Sequence, residues 1–302
     1  MLKAIALVAA SFAGVQLMSA NVETSKPSTD YAKQIENWRV QRVERLKAPN
    51  GWLSLIGLHW LKDGRNTVGS ARDNDVVLAK GPAHLGTIAL GGGKATITLD
   101  AKAGATIDGK PAGSAELLDD MHEKPTTVAF GTASFYLIDR NGRKGLRVKD
   151  SAAETRTHFA GIDNYPIDPS WRVEAKWQPF TPAHSLDIPT VLGTVDKMPV
   201  PGKAVFTRGG KTYELLPVLE EADAKELWFI IADRTSGKET YGAARFLYAD
   251  MPRDGKLVID FNKAYNPPCA FTPYATCPLA PPENRLDLAV TAGEKKYRGG
   301  HH

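Results

Sequence analysis

The sequence predicts a mainly β protein that opens with one helix and continues as two β-rich units. Three observations carry this. From Asn66 to Asp150, short alternating runs are separated by Gly and Asp turns with no helical stretch between them, the pattern of an antiparallel β-sandwich. Beyond residue 190, further runs rich in Val, Ile, Phe and Tyr predict a second β-rich domain, a barrel or a sandwich. Residues 30–47 alone place apolar side chains at helical spacing. The expected division is 1–20 as a signal peptide, 21–62 as the helix and an apolar segment, 63–150 as the sandwich, 151–190 as a connector, and 191–298 as the C-terminal β domain.

The first twenty residues read as an export signal. Lys3 gives a positive start, Ala4 to Met18 is an apolar run, and the small residues Ser19 and Ala20 follow. The run is shorter than the ~20 residues that span a bilayer, and Gln16 interrupts it. Cleavage after Ala20 and an exported protein, in a bacterial periplasm, are therefore expected, with no membrane partner after cleavage. The 302 residues carry 38 Lys and Arg against 34 Asp and Glu, a net charge of +4. No run of five or more basic residues occurs, so no nucleic-acid partner is expected.

Asp30 is placed to cap the helix, which runs to about Lys47. Ile35, Trp38, Arg39, Val43 and Leu46 share one face, expected to pack Trp38 on the domain that follows, and Pro49-Asn50-Gly51 stops the helix. Gly51 to Leu61, with Trp52 and Trp60, should be buried. Sandwich strands are expected at 75–78, 87–90, 95–99, 126–130, 134–138 and 145–148. Asp108-Gly109, Asn141-Gly142 and Gly91-Gly92-Gly93 are hairpin turns. In the connector, 171–177 alternates as an amphipathic strand. Later strands are expected at 191–195, 203–207, 211–218, 226–232, 241–248, 256–260 and 286–292, with Gly209-Gly210 closing a hairpin.

The densest chemistry lies in Asp260–Arg285, which holds both cysteines and six prolines. Proline fixes φ and lacks the backbone donor, so this segment is a stiff, shaped loop rather than a helix or central strand. Its Tyr265, Asn266, Tyr274, Asn284 and Arg285, with Arg234, Glu239 and Tyr241 on and beside the turn after residue 232, are the candidate ligand-binding residues. Two arginine forks, tyrosine rings with polar tips and side-chain amides suit a small anionic or polar ligand. The competing reading is structural: Arg234 paired with Asp233, Glu239 or Glu283, and the Asn and Arg side chains satisfying backbone groups left by the prolines.

Cys269 and Cys277 are separated by seven residues, unlike the close pairs of zinc sites, and no histidine is near in sequence. In an exported protein a disulfide is expected, with a Cys nucleophile served by His158 or His184 as the other reading. No metal and no cofactor are expected: nucleophile-elbow, phosphate-loop and dinucleotide motifs are missing from the sequence. The catalytic residues stay unassigned.

The stretches VGSARDNDVVL at 68–78, AHLGTI at 83–88, TIDGKPA at 106–112 and FGTASFYL at 130–137 make the sandwich resemble a forkhead-associated domain. That resemblance implies an eleven-stranded sandwich reading phosphothreonine peptides. However, Ser70 stands where the family has its phosphate-binding arginine and Gly81 where it has its serine, while His84 is read as structural. The sandwich is therefore expected to be a scaffold without phosphopeptide binding. Asp260–Arg285, together with GWLSLIGLHWL at 51–61 and ADRTSGKETYGAARFL at 232–247, closely resembles the bacterial domain-of-unknown-function family numbered sixteen eighty-four, a likeness expected to cover nearly all of the mature chain. The resemblance implies the architecture and no activity. The function expected is an exported small-molecule binder, whether or not it also catalyses; the alternative is a non-catalytic binding or envelope-assembly module with a purely structural Pro/Cys loop.

Overall fold

A computed structural model of the protein describes residues 28–299, and the expected signal peptide lies outside them. Helix α1 (Thr29–Lys47) is capped by Ser28, whose hydroxyl accepts from the Tyr31 N–H at 3.3 Å. Asp30 instead sits in the first turn, where a carboxylate favours the positive end of the helix. The helix stops as expected, and glycine is required at 51. A Cβ there would meet the carbonyl oxygens of Arg45 and Leu46 at 2.5 Å. Ile35, Arg42 and Leu46 are the buried face. The expectation that Trp38 packs on the next domain in sequence is corrected: its ring lies 6.3 Å from Tyr265, and Tyr31 Oη donates to Asp260 at 2.9 Å. The helix belongs to the C-terminal half.

The sandwich comprises β1 (Leu55–Trp60), β2 (Gly64–Gly69), β3 (Val76–Val77), β4 (Gly86–Gly91), β5 (Lys94–Leu99), β6 (Thr106–Ile107), β7 (Ser114–Glu116), β8 (Thr127–Phe130), β9 (Ala133–Arg140) and β10 (Arg143–Asp150). One sheet has the order β1-β10-β9-β8-β6 and the other β3-β2-β4-β5-β7. Val68, Ile88, Ile97, Val128, Phe135 and Leu146 fill the core between them. Burial alternates along β5 and β8, as a half-buried strand demands. The apolar segment supplies β1, so the sandwich begins before residue 63. It has ten strands rather than eleven, and β2 and β3 run parallel. Asn141 and Gly142 both take positive φ, 55° and 81°, as a two-residue hairpin requires.

After a single turn, α2 (Glu154–Thr157), the C-terminal half contains β11 (Arg172–Pro189), β12 (Val195–Arg208), β13 (Lys211–Leu215), β14 (Glu226–Ile231), β15 (Arg245–Asp250) and β16 (Lys256–Asp260). The order β13-β12-β11-β16 forms one sheet, and β14 pairs with β15. Half of the expected connector is thus strand β11, bulged between Pro179 and His184. Residues 191–194 are the turn into β12, closed by Thr190 N–H to the Thr194 carbonyl at 2.9 Å. Strand β15 starts at Arg245, not 241. Strand β14 is buried on both faces. Leu227, Phe229 and Ile231 join Phe206, Leu247 and Ile259. Trp228 and Ile230 join Leu186, Val200 and Phe246. A continuous apolar run is what such a strand needs.

Residues 286–292 form no strand, although the sequence predicts one. The Leu286 N–H and the Leu288 carbonyl bond to the backbone of Ala232 and Arg234, and side chains serve the end of the segment. Arg245 donates to the carbonyls of Ala292 at 2.5 Å and Val290 at 3.0 Å, and to Asp233 at 2.7 Å. Asp233 in turn accepts from the Val290 N–H at 3.2 Å.

Candidate functional site

The structure disperses the residues expected to share a site. Arg234 is 62% exposed and donates to Asp287 at 2.6 Å, which together with Lys211 holds that carboxyl below the usual range. Arg285 is exposed, and its backbone pairs with Ala232. Glu239 is exposed and accepts from Tyr165 Oη at 3.0 Å. Asn284 is buried, exchanging two bonds with the backbone of Leu216 at 2.8 and 2.9 Å. Asn266 is fully buried: its N–H donates to Glu294, its amide to the Lys295 carbonyl, and its own carbonyl accepts from Arg42. Tyr274 is half-buried, its N–H bonded to Thr272 Oγ1. Tyr241 packs in the small core with Leu46, Leu53 and Phe271, and burial pushes its phenol up to about 12. Of the eight, Tyr265 alone lines the cleft described next. The Arg234–Asp287 pair is solvent-screened and should hold nothing together. Arg234→Ala is expected to leave the melting temperature within about 2 °C of the parent, as differential scanning fluorimetry would show; a larger fall would mean that this turn is structural.

A cleft does exist where α1, the β9–β10 end of the sandwich and the Pro/Cys loop meet. Its inner part has a volume of about 390 Å³ and is lined by the arginines Arg42, Arg140 and Arg147, the carboxylate Glu220, the rings of Trp52, Trp228, Phe246, Tyr248 and Tyr265, and loop residues 268 and 276–278. Arg140, Glu220, Trp228 and Thr276 also border an outer part of about 670 Å³ beside Asn141 and Met198.

Donors converge at the shared wall. Thr276 Oγ1 accepts from Arg140 Nε at 2.9 Å and from Arg147 Nη2 at 3.1 Å. With its lone pairs taken by two guanidinium groups, its own hydrogen is left to donate. Arg140 is neutralised by Asp120 through bonds of 3.0 and 2.7 Å. Arg147 is not. It is 3% exposed, it bonds to Tyr136 Oη at 3.2 Å, and the carboxylate within reach among the described residues, Asp120, stands 4.0 Å away. Arg147 Nε and Trp228 Nε1 are buried without a hydrogen-bond partner. Both are donors, in a region where a buried unpaired polar group is costly.

Aromatic rings line the cleft with them. Trp228 and Tyr248 lie nearly parallel, 10° apart with centroids at 6.2 Å, and Tyr248 and Tyr265 follow at 14° and 6.4 Å. Arg42 stands over Tyr265 at 4.6 Å. Burial pushes the Tyr265 phenol up to about 12, against the pull of Arg42, so it stays neutral near pH 7. Tyr248 Oη donates to Glu220 at 2.8 Å. Sequence reading passed over Arg42, Arg140 and Arg147. The signal for Arg147 was present: it sits inside Gly145–Val148, an otherwise apolar and buried run.

Cys269 and Cys277 are free thiols in the structure, not the expected disulfide. They face each other: the Cys269 N–H donates to Cys277 Sγ at 3.1 Å and the Cys277 N–H to Cys269 Sγ at 3.3 Å. Neither histidine considered as a partner serves them. His184 stacks on Phe180 at 4.0 Å, and His158 Nδ1 contacts Thr157 Oγ1 at 3.2 Å. In the sandwich, Ser70 Oγ donates to the Gly81 carbonyl at 2.9 Å, so the hydroxyl near the phosphate position of the resembled family is spent internally.

Comparison with known proteins gives two findings. Residues 157–295 match the family model described as Protein of unknown function (DUF1684), a narrower span than the sequence resemblance implied. A solution NMR structure of an uncharacterized protein of Haloarcula marismortui is 30% identical, covering 46% of this chain and 78% of that one, with a TM-score of 0.40. No curated protein matches the chain. Trp228, Tyr248, Tyr265 and Thr276 fall inside the matched span, whereas Arg42, Arg140 and Arg147 lie before it.

Proposed function

From the premise that the chain belongs, through residues 157–295, to the DUF1684 family of unknown function, we propose that it binds a small anionic ligand with a flat apolar body in the cleft between the sandwich and the C-terminal half. The observation that carries this is Arg147, a buried guanidinium inside a cleft, without a close carboxylate and with its Nε unpaired. An anion there would supply countercharge to Arg147 and accept from Thr276 Oγ1, both of which line the cleft. Charge-assisted bonds of this kind are about twice as strong as neutral ones. The ladder of Trp228, Tyr248 and Tyr265 suits an apolar body, and the few placed polar groups suit an oriented one.

The site differs from the one expected between the Arg234 turn and the Pro/Cys loop. It keeps the loop as one wall and replaces the turn with the sandwich and α1. The structural reading of the loop gains support from Asn284, whose amide is satisfied by the Leu216 backbone, and from the Asn266 amide nitrogen, which donates to the Lys295 carbonyl. Binding without catalysis accounts for every residue named here. Export remains part of the reading, on the strength of the N-terminal sequence alone.

The test is calorimetric titration with benzoate, inorganic phosphate and citrate, with benzamide as the uncharged control. Benzoate is expected to bind saturably and benzamide not. Arg147→Met is expected to weaken benzoate binding by at least about 30-fold, the usual result of truncating one partner of a buried charge pair. The variant should fold, because it removes a buried charge that lacks a close partner. Failure of all three anions to bind at millimolar concentration, or unchanged affinity in Arg147→Met, would overturn the proposal.

A further inference from the structure

We infer that Cys269 and Cys277 form a reversible dithiol–disulfide couple that exchanges with small-molecule disulfides, Cys269 attacking and Cys277 resolving. The inference stands apart from ligand binding in the cleft. It begins with chain geometry. Pro267 and Pro268 fix the start of a single 3₁₀ turn, Pro268–Ala270, that carries Cys269. The chain then returns so that Cys277, followed by Pro278, comes opposite. The two backbone N–H groups are committed to sulfur, each to the other residue's Sγ. A thiol sulfur is a weak acceptor, so these amides reward a sulfur that carries negative charge.

The two thiols are not equivalent. Cys269 is half-buried, and Cys277 is buried in the wall of the cleft. A hydrogen bond from the Cys277 thiol holds the Cys269 thiol below its ordinary range, with the Cys277 N–H and Arg147 adding to it, while burial pushes Cys277 up. The more accessible, more easily ionised sulfur is the nucleophile, because the thiolate is the attacking species. Two amides bonded to sulfur also hold both residues in place when either one reacts.

The chemistry closes on itself. The Cys269 thiolate attacks one sulfur of a disulfide R–S–S–R, forms a mixed disulfide and releases one R–S⁻. Cys277, losing its proton, attacks the Cys269 sulfur and expels the second R–S⁻. Two protein thiols are oxidised, one small disulfide is reduced to two thiols, and the two protons end on the released thiolates. Reduced small thiols run the sequence backwards.

The experiment equilibrates the purified chain in glutathione buffers of graded reduced-to-oxidised ratio. Acid quenching, alkylation and trypsin follow. Cleavage after Lys263 and Arg285 leaves both cysteines on one peptide, 264–285. The expected result is one transition from a doubly alkylated peptide to an unalkylated one lighter by two hydrogens, with circular dichroism unchanged across it. Cys277→Ser should accumulate one glutathione on Cys269, and Cys269→Ser should react at least about 10-fold more slowly, following the accessibility and ionisation of the two thiols. Arg147→Met should move the pH midpoint of Cys269 alkylation upward. Double alkylation at every ratio would overturn the inference. So would a disulfide that survives excess dithiothreitol in the folded protein, or equal reactivity of the two serine variants.

Discussion

Arg245→Met is expected to destabilise the protein by about 3–5 kcal/mol, the cost of breaking a buried ion pair by removing one partner. The side chains of Arg245 and Asp233 are 1% and 0% exposed, with 2.7 Å between them. The loss has three parts. Asp233 loses its buried partner. The carbonyls of Val290 and Ala292 lose the side-chain donor that serves them among the described residues. The 286–292 segment, which contributes Leu286, Val290 and Ala292 to the core, loses its anchor. Arg245→Lys should restore only part of the stability, because an ammonium cannot reproduce a fork that serves a carboxylate and three carbonyls at once. Asp233→Ala should cost a similar amount, since it strands Arg245 and also frees the N–H groups of Thr235 and Val290. Urea unfolding measures all three. A loss below about 1 kcal/mol for Arg245→Met, the range of exposed pairs, would show that the pair is not a structural anchor.

Arg42→Met is expected to cost about 3–5 kcal/mol near pH 8 and clearly less near pH 5. Arg42 ties α1 to the C-terminal half, donating to Glu294 at 3.2 Å and to the Asn266 carbonyl at 2.8 Å. Glu294 is 1% exposed. Burial pushes its carboxyl above the usual range while Arg42 pulls it back, so removing Arg42 raises it further. A carboxyl raised in the folded state holds its proton where the unfolded chain, titrating near ~4.3, has released it. Its contribution is therefore most favourable at low pH and falls as pH rises from the unfolded value through the folded one. The variant's deficit should grow over that window. Urea melts of parent and variant at pH 5, 6.5 and 8 check it. An equal deficit at all three would mean that Glu294 does not titrate there and that α1 is held by its apolar contacts.

Sequence reading succeeded where structure follows local rules. Strands β4, β5, β8, β9 and β10 were legible because a half-buried strand alternates at period two and glycine or asparagine must occupy the positive-φ turn positions. Helix α1 was legible from its spacing and its Pro-Asn-Gly stop. Strand β11 was legible only in its first part, where 171–177 alternates at period two; its continuation to Pro189 was not, and there a bulge between Pro179 and His184 interrupts the register. Residues 286–292 had strand composition, but beyond Leu288 buried Arg245 and Asp233 bond the backbone of Val290 and Ala292 in place of a ladder. The sequence by itself determined that Asp260–Arg285 forms neither a helix nor a long strand and that Cys269 and Cys277 come close. Tertiary structure alone decided which partners meet in the cleft. Arg42, Arg147, Trp228 and Thr276 come from a helix, two separate sheets and a loop, so no spacing rule connects them. What converts Arg147 from one more strand residue into a candidate anion site is desolvation, and desolvation exists only once the two halves have closed around it.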